Sequence, residues 1–314
     1  MNAPPVTGKL LIVTYHYIRA PKAAPYPGIH PISPADFAAQ VNEMRERYHM
    51  ATPVEAERFL QGEASLPGPS VLLSFDDGMV DHGEAARRVL DPLGIRSVFF
   101  VTSRPLVEKK PLAVHKVHWL RANTDPRGFR EEFEAALPEG WRAGNADAAE
   151  RADATRRYPY DAPEDALLKT RINGKLPNDV VDAATAAMLR ARNVGDAAFC
   201  QQLYLGESDL RAMAERGHCI GAHGHSHAAF SRLGAALDAD LHANVDCLTQ
   251  VCGAAPAWVS YPYGREWAIP PEAGALCRRH GFRVGVTLNL GWNEGAIDPA
   301  LVKRINTNEL AQFA

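Results

Sequence analysis

Several features that would assign the chain to a specialised class are scarce or missing. Among 314 residues there are five cysteines, an odd number, and none shows Cys-x-x-Cys spacing; Cys247 and Cys252 lie five positions apart. That excludes a disulfide framework, a zinc knuckle and a dithiol redox motif, and leaves reduced, mostly buried thiols. No apolar run approaches the length of a membrane span, and the N-terminal "LLIVTY" is cut short by His16, too early for a secretory h-region. The expectation is a cytoplasmic protein without a membrane span. A net charge of −3 gives no electrostatic case for nucleic acid or an anionic membrane as partner. Repeats and low-complexity tracts are absent. Histidine, with 12 copies, is not found after His280.

What is present is ordinary soluble-domain material, 46% apolar and 23% charged, enough for a large core. "KLLIVTYHYI" reads as a buried strand, and "SPADFAAQVNEMRERY" as a helix with a Ser N-cap and Pro at its first position. "SVLLSF" is a second strand, "GEAARRVLDPLG" a helix, and "RSVFFVTS" a third strand. Residues 105–205 then lack a convincing strand and hold helical stretches such as "FREEFEAAL" and "DVVDAATAAMLRAR". Beyond them the alternation resumes through "HCIGAH", "AWVSYP" and "FRVGVTLN", with helices between. Roughly six strands with interleaved helices predict an α/β fold of the β/α-barrel type, divided as 1–104, a helical insertion at 105–205, and 206–314. In such a barrel the site lies at the carboxyl ends of the strands.

Two strand ends carry chemistry. "SVLLSFDDG" delivers Asp76 and Asp77 before a glycine, and "CIGAHGHSH" places His223, His225 and His227 within five positions. Asp-Asp-Gly on its own is also what a strand-to-helix turn with N-capping looks like. The histidines allow two readings: all three on one face of an extended strand, or His223 and His227 together on a turning backbone with His225 directed away. One Asp and two His would leave an open position on a metal, as hydrolytic sites require.

"SFDDG", "HGHSH" and, at residues 260–264, "SYPYG" resemble in order the three motifs of the polysaccharide deacetylase family, carbohydrate esterase family 4 with the NodB homology domain. The resemblance implies a distorted (β/α)7-type barrel and a metal-dependent hydrolase that removes an N-acetyl or other N-acyl group from an amino sugar of a glycan or glycan precursor. Asp76 matches the family's general base, and Asp77, His223 and His227 its metal ligands. The backbone N–H of Tyr263, after Pro262, matches the donor to the oxyanion. His225 then becomes a neighbour of the metal site. The donor set suits a divalent metal, Zn first, with Co, Ni, Mn or Fe also compatible.

The sequence departs from the family pattern twice. The late Leu-x-x-His motif that carries the general acid is missing, with "LVKRINTNEL" in its place, and no arginine precedes "YPYG". Tyr15-His16 resembles a Tyr-His pair found in family members that share both absences. His16 is therefore a candidate proton donor; His115 and His118, at i and i+3 in the insertion, and Asp76 itself are others. Tyr15, Pro262, Arg265 and Trp292 are candidate substrate contacts. Asp81 and His82 read as capping residues of the following helix. A deformylase or other amidase on the same fold, or an inactive carbohydrate-binding member, are the competing readings. The oligomeric state is left open.

Overall fold

The computed structural model describes residues 7–20, 31–142, 146–158 and 161–313. Residues 1–6 and 21–30 of the predicted first barrel segment, and 143–145 and 159–160 of the predicted insertion, lie outside these. The chain divides into two compact units, one formed by residues 7–20, 31–110 and 200–313 and the other by residues 111–199.

The first unit is built on an eight-stranded sheet: β1 (Lys9–Tyr15), β2 (His49–Met50), β3 (Pro69–Phe75), β4 (Val98–Val101), β5 (Cys219–Ala222), β6 (Trp258–Ser260), β7 (Val284–Val286) and β8 (Ile305–Asn306). The order is β7-β6-β5-β4-β3-β1-β8, with β2 beside β3, and every pairing is parallel. This is the curled parallel sheet of a distorted (β/α)7 barrel. The two strands not foreseen in the sequence, β2 and β8, have two residues each, too few to show a period of two.

Closure depends on the last stretch of chain. Val302 bridges Val286 of β7, and three residues later Ile305 pairs with Val13 of β1. A single segment therefore runs first along one edge and then along the other. Asn293 adds a pair of backbone bonds to Leu10, 2.8 and 2.9 Å long.

Strand alternation separates two cores. Leu11, Val13, Tyr15, Val71, Leu73, Phe75 and Phe99 face the surrounding helices. Leu10, Ile12, Leu72, Phe100, Trp258, Val286 and Val302 fill the interior. Gly221 belongs to the inner set because a Cβ there would lie 2.6 Å from the Phe100 ring. Toward the carboxyl ends the inner side chains turn polar: Thr14, Ser74, Asp76, Ser260 and Arg304, all buried. Among the helices, Pro34–Arg47 starts as its sequence predicts, with Ser33 Oγ accepting from Asp36 N and Pro34 at the first position.

The second unit is helical, with Ala113–Ala122, Pro126–Ala136, Ala148–Arg157, Pro163–Gly174 and Asn178–Ala191. Phe129, Phe133, Leu120 and Leu189 are buried in it, and Lys116, 2% exposed, pairs with Asp182 at 2.6 Å. Among the described residues no helix is long and apolar enough to cross a membrane.

Candidate active site

Because the sheet is parallel, the ends of β3, β5 and β6 open on the same rim, and each motif leaves its strand there. Five described non-glycine residues have a left-handed backbone; three of them are Asp77 (φ 77°), His227 (φ 58°) and Tyr263 (φ 66°). Such conformations cost about 1–3 kcal/mol each and persist where the surroundings over-determine them. One sits in each of the three motifs.

Asp77, His223 and His227 converge. His227 Nε2 lies 3.2 Å and His223 Nε2 3.5 Å from Asp77 Oδ1. All three are buried, and one ligand atom from each falls within 4.8 Å of the others. Tetrahedral donors about 2.1 Å from a common ion are themselves about 3.4 Å apart, so the spacing suits a cation such as zinc. The tautomer suits it too. His223 Nδ1 donates to Ser260 O at 2.7 Å, which leaves the Nε2 lone pair aimed at Asp77. Burial opposes charge on His223, but the carboxylates of Asp76 and Asp77 outweigh it and raise its pKa above the usual histidine value.

Asp76 points elsewhere, into the barrel. Arg304 grips it with both terminal nitrogens, Nη1 to Oδ1 at 2.8 Å and Nη2 to Oδ2 at 2.5 Å, and Ser260 Oγ lies 3.3 Å from Oδ2. Arg304 is itself fixed by Thr287 O (2.8 Å), Ser260 Oγ (2.7 Å) and Thr14 Oγ1 (3.2 Å). Burial would raise the Asp76 pKa; the Arg304 charge and hydrogen bonds, with His223 and His16, lower it to about 2. Arg304 is the functional residue that sequence reasoning missed. It supplies, from the residue just before β8, a guanidinium that the third motif lacks. A signal did exist: in "LVKRIN" Arg304 shares a strand face with Val302, which marks it as buried and therefore paired.

The remaining candidates separate. His16 is half-buried, close enough to lower the Asp76 pKa, and its carbonyl accepts from His82 Nε2 at 2.8 Å. His82 Nδ1 in turn caps the following helix by accepting from Met79 N at 3.2 Å, and burial lowers its pKa to about 4. Asp81 instead forks with Arg19, at 2.7 and 2.6 Å, and accepts from Ile18 N. The Tyr263 ring packs on His227 and on Trp267, both at 5.3 Å between centroids. Pro262 is buried in the same loop, and Arg265 is exposed, donating to Leu288 O at 3.2 Å.

Two proposed substrate contacts are corrected. Tyr15 is fully buried on the outer face of β1, against Phe37 and Phe75, and its hydroxyl bonds to Gln40. The strand's alternation turned it away from the site. Trp292 packs on Tyr48 with Lys9 over its ring, at the amino end of β1. Seven residues of strand, about 20 Å, separate that end from the rim. His115 and His118 pack on each other in the helical unit, with His115 only 1% exposed.

His225 does turn away from Asp77, as the second reading of the histidine triplet required. Its Nδ1 accepts from Ser103 Oγ, and its Nε2–H donates to Glu108, both at 2.9 Å. That bond holds the Glu108 carboxyl at about 2.

Comparison with known proteins bears on this arrangement. Residues 176–285, about a third of the chain, match the family model described as polysaccharide deacetylase. No curated protein is matched by the sequence. Among solved structures, IcaB from Ammonifex degensii is similar at 18% identity and a TM-score of 0.60, over 98% of this chain and 96% of that one. The deacetylase PplD of Streptococcus pyogenes, solved with acetate, shares 16% identity with a TM-score of 0.57, over 98% of both chains. The deacetylase domain of BpsB from Bordetella bronchiseptica shares 16% at a TM-score of 0.53, over 97% and 98%. The recognition made from the motifs stands: this chain resembles the polysaccharide deacetylases, in sequence over 176–285 and in fold over nearly its whole length.

Proposed function

We propose that the chain is a metal-dependent hydrolase that removes an N-acetyl group from an amino sugar of a glycan or glycan precursor. One observation carries the reading: a three-donor cluster of Asp77, His223 and His227 beside a second carboxylate, Asp76, held ionised in a buried setting. The deacetylases of similar fold agree with it. A divalent cation in that cluster, zinc first and Co, Ni, Mn or Fe as alternatives, would acidify water and polarise an amide carbonyl.

The other roles belong to side chains and backbone. Asp77 Oδ1, His223 Nε2 and His227 Nε2 would hold the ion. Asp76 receives the proton of the attacking water on a carboxylate oxygen. Arg304 fixes the plane of that carboxylate and keeps it charged until the proton arrives. The Tyr263 N–H donates to the developing oxyanion. His16, at the same rim, gives a proton to the departing amine, a contribution of roughly 10²–10⁴-fold.

The test is product release from N-acetylated amino sugars and short glycans, with formyl and ureido analogues in parallel. Acetate from the acetamido substrates is expected, with loss in Asp77→Ala. Formate or ammonia release without acetate would move the chain to another amidase class. Undiminished activity in Asp77→Ala would remove the metal from the reaction.

A further inference from the structure

The helix Leu237–Cys252 lies outside all three motifs, yet it grips the loop that carries both histidine ligands. In its first turn Asp240 accepts two consecutive backbone N–H groups, from His225 to Oδ2 at 2.7 Å and from Ser226 to Oδ1 at 3.0 Å. One turn further, Asn244, completely buried, accepts from His223 N at 3.1 Å and donates to Val101 O at 3.0 Å. The spacing i, i+4 puts both on one helical face. That face fixes three of the four amide groups from 223 to 226.

The fourth position shows how tight the grip is. Gly224 has φ of 72°, and a Cβ on it would stand 2.9 Å from Asp240 Oδ2 and 2.9 Å from the Phe230 ring. The carboxylate therefore occupies the space a side chain would need, and only glycine lets it reach the turn. With its amides held, the loop passes through Gly224 and reaches His227 in a left-handed conformation, and the two imidazoles meet the same oxygen of Asp77.

We propose that Asp240 is a positioning residue of the metal site: its carboxylate sets the turn between His223 and His227 and so presets their separation before any ion binds. The inference rests on reading Asp77, His223 and His227 as the metal ligands. Its physical content is preorganisation. Two charge-assisted bonds to backbone N–H groups hold a turn that strained dihedrals would otherwise relax. The first turn of a helix also favours a carboxylate.

The test combines zinc affinity, by chelator competition, with amide hydrogen exchange on the metal-free protein. Asp240→Ala is expected to weaken zinc binding 10- to 100-fold, the usual loss for a group that orients ligands. Exchange across residues 223–227 should quicken while helix 237–252 keeps its protection. Asp240→Asn, which retains one acceptor, should fall between, and it serves if the alanine variant does not fold. Asp246→Ala, exposed on the same helix, should leave both readouts unchanged. Zinc affinity within twofold of wild type in Asp240→Ala, or loop exchange that does not change, would overturn the proposal. A wild-type chain that binds no zinc would fell the metal reading instead, and exchange at 223–227 would still decide whether Asp240 presets the turn.

Discussion

Asp76 and Asp77 are neighbours in the chain and are held by opposite means. Asp76 continues the strand and meets a side-chain network of Arg304, Ser260 and Thr14 inside the barrel. Asp77 has left the strand through a left-handed residue and faces two histidines whose own backbones are shaped by the loop and its clamps. One carboxylate is placed by charge and the other by chain conformation. The lesson is that a shared dipeptide can serve two roles when one residue keeps the sheet's geometry and the next abandons it. Charge neutralisation then tunes the first, while backbone strain tunes the second.

Breaking the conformational half should have the largest effect. Asp77→Ala, His223→Ala and His227→Ala should each abolish zinc binding and deacetylation while the circular dichroism of the fold is kept; His225→Ala should retain the ion, because its ring bonds to Ser103 and Glu108 rather than facing Asp77. Calorimetric titration with zinc decides, and retention of the metal by His223→Ala would contradict the assigned ligand set. Breaking the charge half should look different. Arg304→Met strands a buried carboxylate and should lower unfolding free energy by about 3–5 kcal/mol, measured by urea denaturation, with Arg304→Lys recovering part. Asp76→Asn should lower kcat by roughly 10²–10⁴-fold while zinc affinity stays near wild type.

The pH responses sharpen the same contrast. The Asp76 carboxyl is lowered to about 2, so its pairing contributes stability above the ordinary aspartate range and loses it only as pH falls toward that value. The His223 pKa is raised, so protons compete with zinc at higher pH than they would at an ordinary histidine; affinity should fall about tenfold per pH unit on acidification below the raised value. In the metal-free protein the charged His223 contributes stability at low pH that is lost as pH rises through the raised value. Tyr15→Phe should have the smallest effect, about 1 kcal/mol in stability from the lost bond to Gln40 and no change in KM.

The alternation of apolar runs with amphipathic stretches disclosed the parallel sheet, and the strand ends disclosed the motifs, because both signals are local. Arg304 and Asp240 escaped because their meaning is relational. An arginine in "LVKRIN" becomes a partner for Asp76 only once the last strand is laid against the first, and an aspartate in a helix's first turn looks like ordinary capping. Tyr15 and Trp292 were misplaced for a related reason: residue type suggested sugar contact, whereas strand parity and the choice of barrel end decided their surroundings. His225 was readable as the odd member of its triplet once the outer pair was matched to Asp77.

The closing segment has a consequence for how the molecule is assembled over time. The contacts that neutralise Asp76 span 228 residues, and the bond from Arg304 to Thr14 spans 290. Loop closure over such distances is slower than local contact formation, so these contacts are expected to form late. Until Val302–Asn306 docks between the first and seventh strands, Asp76 lacks the Arg304 counter-charge. On that expectation the final segment acts as a latch, and the interior around Asp76 closes only once it docks.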